Sequence, residues 1–95
     1  MMVCNADRVR RWLEDNDETA MIADGFDDAI IGLTMDKASG RFRVVYDVAR
    51  ALAILQNDHG MEYDDALEYF HVNVADAYVG DSTPVWCFLP EAEED

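Results

Sequence analysis

Ninety-five residues, with seven Lys and Arg against twenty-one Asp and Glu and a formal net charge of -14, leave room for one hydrophobic core and none for a second. Val, Ile, Leu and Phe make up about a quarter of the chain, above the level at which a highly charged sequence stays unfolded. A field of this sign repels nucleic acid and anionic membrane and attracts basic surfaces, so direct nucleic-acid binding and membrane association are excluded as expectations.

The charge is unevenly spread. Residues 1 to 50 hold ten acids and all seven bases, a net of -3, whereas residues 51 to 95 hold eleven acids and no Lys or Arg, a net of -11. The two cysteines, Cys4 and Cys87, stand near opposite ends. With no secretory h-region and no other cysteine, they read as reduced thiols of a cytoplasmic protein. No apolar run approaches the roughly eighteen residues that a membrane span needs.

In chain order, Asn5 is placed to cap a first helix over residues 6 to 15, with Val9, Trp12 and Leu13 as its apolar patch. Arg8, Arg10 and Arg11 precede Glu14 and Asp15, which opposes the helix dipole, so this helix needs docking to persist. Either Trp12 anchors it while the arginines lie on the protein's own acidic surface, or it is a mobile basic arm. A polar link leads to a strand over residues 29 to 35, with Ala29, Ile31, Leu33 and Met35 on one face and Ile30, Gly32 and Thr34 on the other. Residues 36 to 40 form a hairpin loop with Gly40 at a positive-φ position. A second strand over 41 to 46 turns Phe42, Val44 and Tyr46 one way and Arg41, Arg43 and Val45 the other.

The apolar helix over residues 48 to 58 is the centre of the chain. Asp47 is its expected N-cap, and Val48, Ala51, Leu52 and Leu55 recur at helical spacing. Ala49, Ala53 and Ile54 widen that face, and Gly60 suits the left-handed position beyond the helix end. A further helix from 63 to beyond 70 points Tyr63, Ala66, Leu67, Phe70 and Val74 inward and Asp64, Asp65 and Glu68 outward. Asp64 and Glu68 at i and i+4 repel, so a helix that tolerates them displays acid. Residues 83 to 89 read as a third strand, with Pro84 at its start and Pro90 closing it. The expected architecture is α+β: a small three-stranded, mostly antiparallel sheet packed against the central helix, in the order helix, strand, strand, helix, helix, strand. Residues 1 to 90 form one domain, and 91 to 95 an acidic disordered tail.

Signs of chemistry are few. The aspartates around Gly25, in DGFDD at 24 to 28, have the oxygen chemistry of calcium and magnesium sites but lack the EF-hand pattern and its closing Glu. They are explained equally by a tight turn at Gly25 with Asp27 and Asp28 facing solvent. His59, His71, Cys4 and Cys87 show no short zinc-site spacing. A carboxylate field raises a thiol pKa and so disfavours a cysteine nucleophile, and no phosphate-binding loop, nucleophile elbow or dinucleotide fingerprint is present. The chain is therefore expected to be no enzyme and to work without metal or cofactor.

The run DGFDDAIIG at 24 to 32, VVYD at 44 to 47, HGMEYDDALEYF at 59 to 70, NVADAYVG at 73 to 80 and TP at 83 and 84 resembles a family of small proteins from phages and other prokaryotic mobile elements. That resemblance implies no enzymatic activity or cofactor and leaves residues 1 to 20 outside its pattern, as an added element. A small, acidic, single-domain phage protein is also similar in kind to anti-CRISPR proteins, a likeness of character rather than of motif. Two function classes follow. In the first, Asp58, Glu62, Asp64, Asp65, Glu68, Asp76 and Asp81 mimic DNA and occupy the basic nucleic-acid-binding surface of a CRISPR-Cas effector complex. In the second, acidity serves only solubility, and a small interaction or regulatory module binds a protein through its sheet edge or through Tyr69, Tyr78 and Trp86.

Overall fold

The structure, a computed structural model, describes residues 4–23, 25–75 and 83–89. Helix α1 (Asn5–Asp15) leads through a 3₁₀ turn (Asp27–Ala29) into strand β1 (Ile30–Met35), hairpin partner β2 (Phe42–Asp47), helix α2 (Val48–Asp58) and helix α3 (Tyr63–Tyr69). A π-helical segment (Phe70–Ala75) continues α3, and β3 (Val85–Cys87) closes the sheet. The fold is α+β with the expected order of elements. The sheet is mixed, with β2 in the centre: β1 pairs with it antiparallel, and the three-residue β3 adds parallel on its other side. Strand β3 is shorter than the span of 83 to 89 read from the sequence.

The centre is where the apolar pattern puts it. Strand β2 passes into α2 without a loop, because Asp47 is both the last strand residue and the N-cap. Its Oδ1 accepts the Ala49 amide at 3.0 Å, satisfying one of the open donors of the first turn, and Oδ2 faces Arg50 Nε at 3.5 Å. Val48, Ala51, Leu52 and Leu55 are the buried residues of α2. Ala49 and Ala53 are exposed, so the apolar face is narrower than expected; as alanines they cost little in water and favour the helix. Gly60 has φ of 67° and ends the helix from the left-handed region.

Elsewhere local geometry corrects the pattern. Asn5 is the first helical residue of α1 and not its cap; extended Cys4 holds the cap position, its carbonyl accepting the Arg8 amide at 3.1 Å. The far end closes as a Schellman motif, with Glu18 N–H donating to Leu13 O at 2.8 Å and Asp17 N–H to Glu14 O at 3.2 Å. Asp17 takes the left-handed position at φ 55° that glycine usually fills. Helix α1 docks through Ala6, Val9 and Leu13, while Trp12 is 40% exposed and lies against Phe42 with ring centroids 4.9 Å apart. Arg10 reaches both carboxylate oxygens of Asp27 at 3.1 Å, so α1 is docked and partly tied to the chain's own acids.

In β1 the simple alternation fails at a bulge between Ile30 and Gly32. Ile30 stands opposite Tyr46 and Leu33 opposite Val44, both core residues of β2, so Ile30 joins Leu33 on the buried side. One extra residue in the strand shifts the parity, which period-two reasoning cannot see. The hairpin loop matches expectation: Asp36 N–H donates to Arg41 O at 2.9 Å, and Gly40, at φ 72°, donates to Asp36 O at 2.7 Å. In α3, Ala66 is fully buried and Phe70 nearly so, with Leu67 and Val74 packed on the core. Tyr63 is 53% exposed instead of inward. It is the first residue of α3, one turn ahead of the buried Ala66.

Leu52 is almost completely buried on α2. Leu52→Asp would place an unpaired carboxylate in that core, a cost of several kcal/mol against a total stability of about 5 to 15 kcal/mol. The variant is expected to lose its cooperative thermal transition in circular dichroism; unchanged melting would mean that α2 is not the centre of the core.

Candidate functional site: an acidic corner with an apolar hollow

Helices α2 and α3 meet at a short turn, and most of the acids expected to bind a partner gather there. Asp58 ends α2, Glu62 is the residue before α3, and Asp64 and Asp65 lie in the first turn of α3 with Glu68 one turn on. All five are exposed. The first-turn aspartates face the positive end of the helix dipole, which favours them, while Asp64 and Glu68 stand one turn apart and repel. Among the described residues the ion pairs join Arg10 to Asp27, Arg43 to Asp36 and Arg50 to Asp47, and none reaches this corner. Asp76 and Asp81 lie outside the described residues, as do Asp24, Tyr78 and the acidic tail.

The corner is not acid alone. Asp65 and Glu68 border an open hollow of about 340 Å³ whose other walls are Met61, Tyr69, Val72 and Asn73. Val72 is 66% exposed and Tyr69 42% exposed. Tyr69 and Asn73 also border a second cleft, of about 340 Å³, with Met21, Phe26, Val74 and Trp86. They therefore form a ridge between two hollows. Sequence reasoning finds the acids and Tyr69 but misses Met61 and Val72. For Val72 the signal is present, since it falls between Phe70 and Val74, off the inward stripe.

Trp86 is committed to internal contacts. Its ring stacks on Tyr46 at 4.7 Å and meets the edges of Phe70 at 5.0 Å and Phe26 at 5.9 Å. It joins four segments of the fold, although it also borders the second cleft. The other candidate groups are scattered. His59 is the exposed C-cap of α2; exposed His71 has its ring edge-on to Phe70 at 5.7 Å. Cys4 is exposed and Cys87 half-buried, and both are free thiols. Gly25 turns the chain at φ 88°, Asp27 is committed to Arg10 and Asp28 is exposed. Among the described residues no three His, Cys, Asp or Glu side chains come together as a metal site. Among them, too, no helix is long and apolar enough to cross a membrane.

No protein-family model matches the chain, and neither a curated protein nor a solved structure matches it.

The different placements of two aromatic residues give a direct check. Trp86→Ala removes three ring contacts and should cost about 3 kcal/mol of folding stability, whereas Tyr69→Ala should change it by about 0.5 kcal/mol or less. Urea denaturation midpoints separate the two; equal effects would mean that the ring cluster does not hold β3.

Proposed function

We propose that this protein is a non-enzymatic inhibitor of phage or mobile-element type, which binds a CRISPR-Cas effector complex and blocks target DNA binding by presenting its acidic corner as a DNA mimic. The observation that carries the proposal is the set of five exposed carboxylates on the α2–α3 corner, with no cation paired to them among the described residues. Three of them, Asp64, Asp65 and Glu68, are spread over roughly 6 Å of helix axis. That is a mean spacing of about 3 Å between charges, close to the roughly 3.4 Å per phosphate along one strand of duplex DNA. A groove of Lys and Arg built to track a phosphate backbone would find a comparable line of charge on this helix. The resemblance to small mobile-element proteins supplies the choice of target, and effector complexes hold nucleic acid in such basic channels.

An ordinary protein contact has one observation of its own in favour. The hollow formed by Met61, Tyr69 and Val72, bordered by Asp65 and Glu68, has the apolar centre and polar rim of a conventional interface. In that case the acids set solubility and orientation, and the apolar side chains supply the affinity.

The two mechanisms separate by experiment with guide-loaded effector complexes of several types. Under mimicry, target DNA and this protein compete, and binding weakens strongly as salt rises from about 0.1 to about 0.5 M. Asp64→Asn, Asp65→Asn and Glu68→Gln together should leave thermal stability within about 0.5 kcal/mol of the parent and reduce inhibition at least roughly tenfold. Inhibition indifferent to salt, to these changes and to competing DNA, but lost in Tyr69→Ala with Val72→Ala, would replace mimicry by the apolar contact. If no effector loses DNA binding in its presence, the proposed function is wrong.

A further inference from the structure

One face of α3 is neither buried nor wholly polar. Asp65, Glu68, Tyr69, Val72 and Asn73 follow one another at i, i+3, i+4, i+7 and i+8, so they share a stripe that runs from α3 into the π-helical segment. All five are exposed, and all five border the hollow of about 340 Å³ that Met61 completes. Val72 and Tyr69 leave apolar surface in water there, and π-helical turns such as the one that carries Val72 and Asn73 recur at functional sites. Tyr69 and Asn73, one above the other on the helix, are the residues that this hollow shares with the second cleft. The two hollows differ in chemistry. Asp65 and Glu68 border the first, and neither is ion-paired among the described residues. No charged residue borders the second, where Met21, Phe26, Val74, Pro84 and Trp86 present thioether, aliphatic and aromatic surface.

We propose that this face binds a basic amphipathic helix of a partner protein, seating an arginine in the acid-bordered hollow and a leucine-like side chain in the cleft beside Trp86. Charge sets each half of the occupant. An arginine lays its aliphatic stem on Met61 and Val72 and brings its guanidinium to Asp65 and Glu68. Carboxylates take that group through paired hydrogen bonds, and the Tyr69 ring adds a cation–π contact. The cleft offers an ion no counter-charge, so an apolar side chain is what gains by entering it. Residues three or four apart on a helix stand about 5 to 6 Å apart at Cβ, which lets one partner helix reach both sides of a ridge a single side chain wide. The net charge of -14 draws a basic partner in and keeps acidic ones off. A second copy is disfavoured as occupant, because two-fold pairing of this face brings four carboxylates into one contact. Such binding rests on the reading of the α2–α3 corner as a partner surface and specifies the partner's chemistry; it needs no nucleic-acid channel.

The probe is a fluorescein-labelled helical peptide of Arg, Leu and Ala with each Leu four residues after an Arg, at about 0.15 M salt so that the long-range field of the protein is screened. Its control carries Ser in place of every Leu and so has the same charge. The Leu peptide should bind at least roughly tenfold more tightly than the Ser peptide, and the methyl resonances of Met21, Met61 and Val72 should shift when it does. Tyr69→Ala with Val72→Ala, and separately Asp65→Asn with Glu68→Gln, should each weaken binding roughly tenfold or more with unchanged melting. Glu14 and Asp15 are exposed at the C-terminal end of α1 and border neither hollow. Glu14→Gln with Asp15→Asn changes the net charge by the same amount as the corner pair and should leave binding within about twofold. No binding of the Leu peptide at millimolar concentration, equal binding of the two peptides, binding insensitive to the two corner variants, or equal losses from the corner and α1 charge changes would overturn the proposal. So would dimerisation in sedimentation that Tyr69→Ala with Val72→Ala abolishes, which would make the occupant a second copy. Effector complexes play no part in this assay, so the two readings fail separately. Inhibited effectors with no affinity for the Leu peptide would refute the helix and leave mimicry, whereas peptide binding with no inhibited effector would support the helix and refute the effector.

Discussion

The stacking of Trp86 on Tyr46 is the contact on which the C-terminal part of the fold depends. Three residues of parallel strand are too little to hold a segment by backbone pairing alone, so β3 must be fastened by what its side chains reach. Trp86 reaches β2 through Tyr46, the π-helical segment through Phe70 and the turn before β1 through Phe26. Tyr46 extends the same network, because its Oη accepts the Ala23 amide at 2.7 Å and so anchors the link between α1 and β1. Each aromatic pair adds about 0.5 to 1.5 kcal/mol beyond the area it buries. Four segments distant in sequence are thereby tied to one ring system, which also fixes the position of Tyr69 and of the hollows on either side of it.

The π-helical segment fits this role. A helix that widens at Phe70 takes more residues per turn, and the widened stretch carries both Phe70, against Trp86, and Val74, against the core. Nothing in the residue types announces such a widening, since the 3.6-residue pattern continues through it. The direction of β3 is equally hidden. Strand propensity marks residues 83 to 89, within which Val85–Cys87 pair, but whether they add parallel or antiparallel depends on the path of the chain from α3, which no local signal encodes.

The legible part of the sequence is whatever one residue's chemistry decides by itself. An aspartate between a strand and an apolar periodic run can hardly be anything but a cap, and Asp47 is one. Glycines at 40 and 60 mark left-handed turns for the same kind of reason. The acidic corner is legible because unpaired carboxylates cannot be buried, so Asp64, Asp65 and Glu68 have to face water. The illegible part depends on neighbours. Tryptophan is common in interfaces, which draws Trp86 toward a partner surface, although only the positions of Tyr46 and Phe70 decide which side of β3 is covered. The parity of β1 is lost at its bulge, and Tyr63 misleads because a helix stripe does not say where the contact with the next helix begins.

The uneven charge of the sequence gains its meaning from the fold. Repulsion among the acids of residues 51 to 95 opposes compaction, and every Lys and Arg of the chain lies in residues 1 to 50. Neutralising bridges occur where α1 meets the 3₁₀ turn, in the hairpin and at the α2 cap, and they leave the α2–α3 corner untouched. Had selection acted only to lower repulsion, a cation one turn from Glu68 would have been the simplest remedy, at a gain of a few tenths of a kcal/mol. Arg8 and Arg11 also make no ion pair among the described residues, although acids are abundant. Lowest repulsion is therefore not what this distribution of charge achieves: among the described residues the molecule keeps an unneutralised negative face at the α2–α3 corner, and a charge left open to solvent attracts partners of the opposite sign.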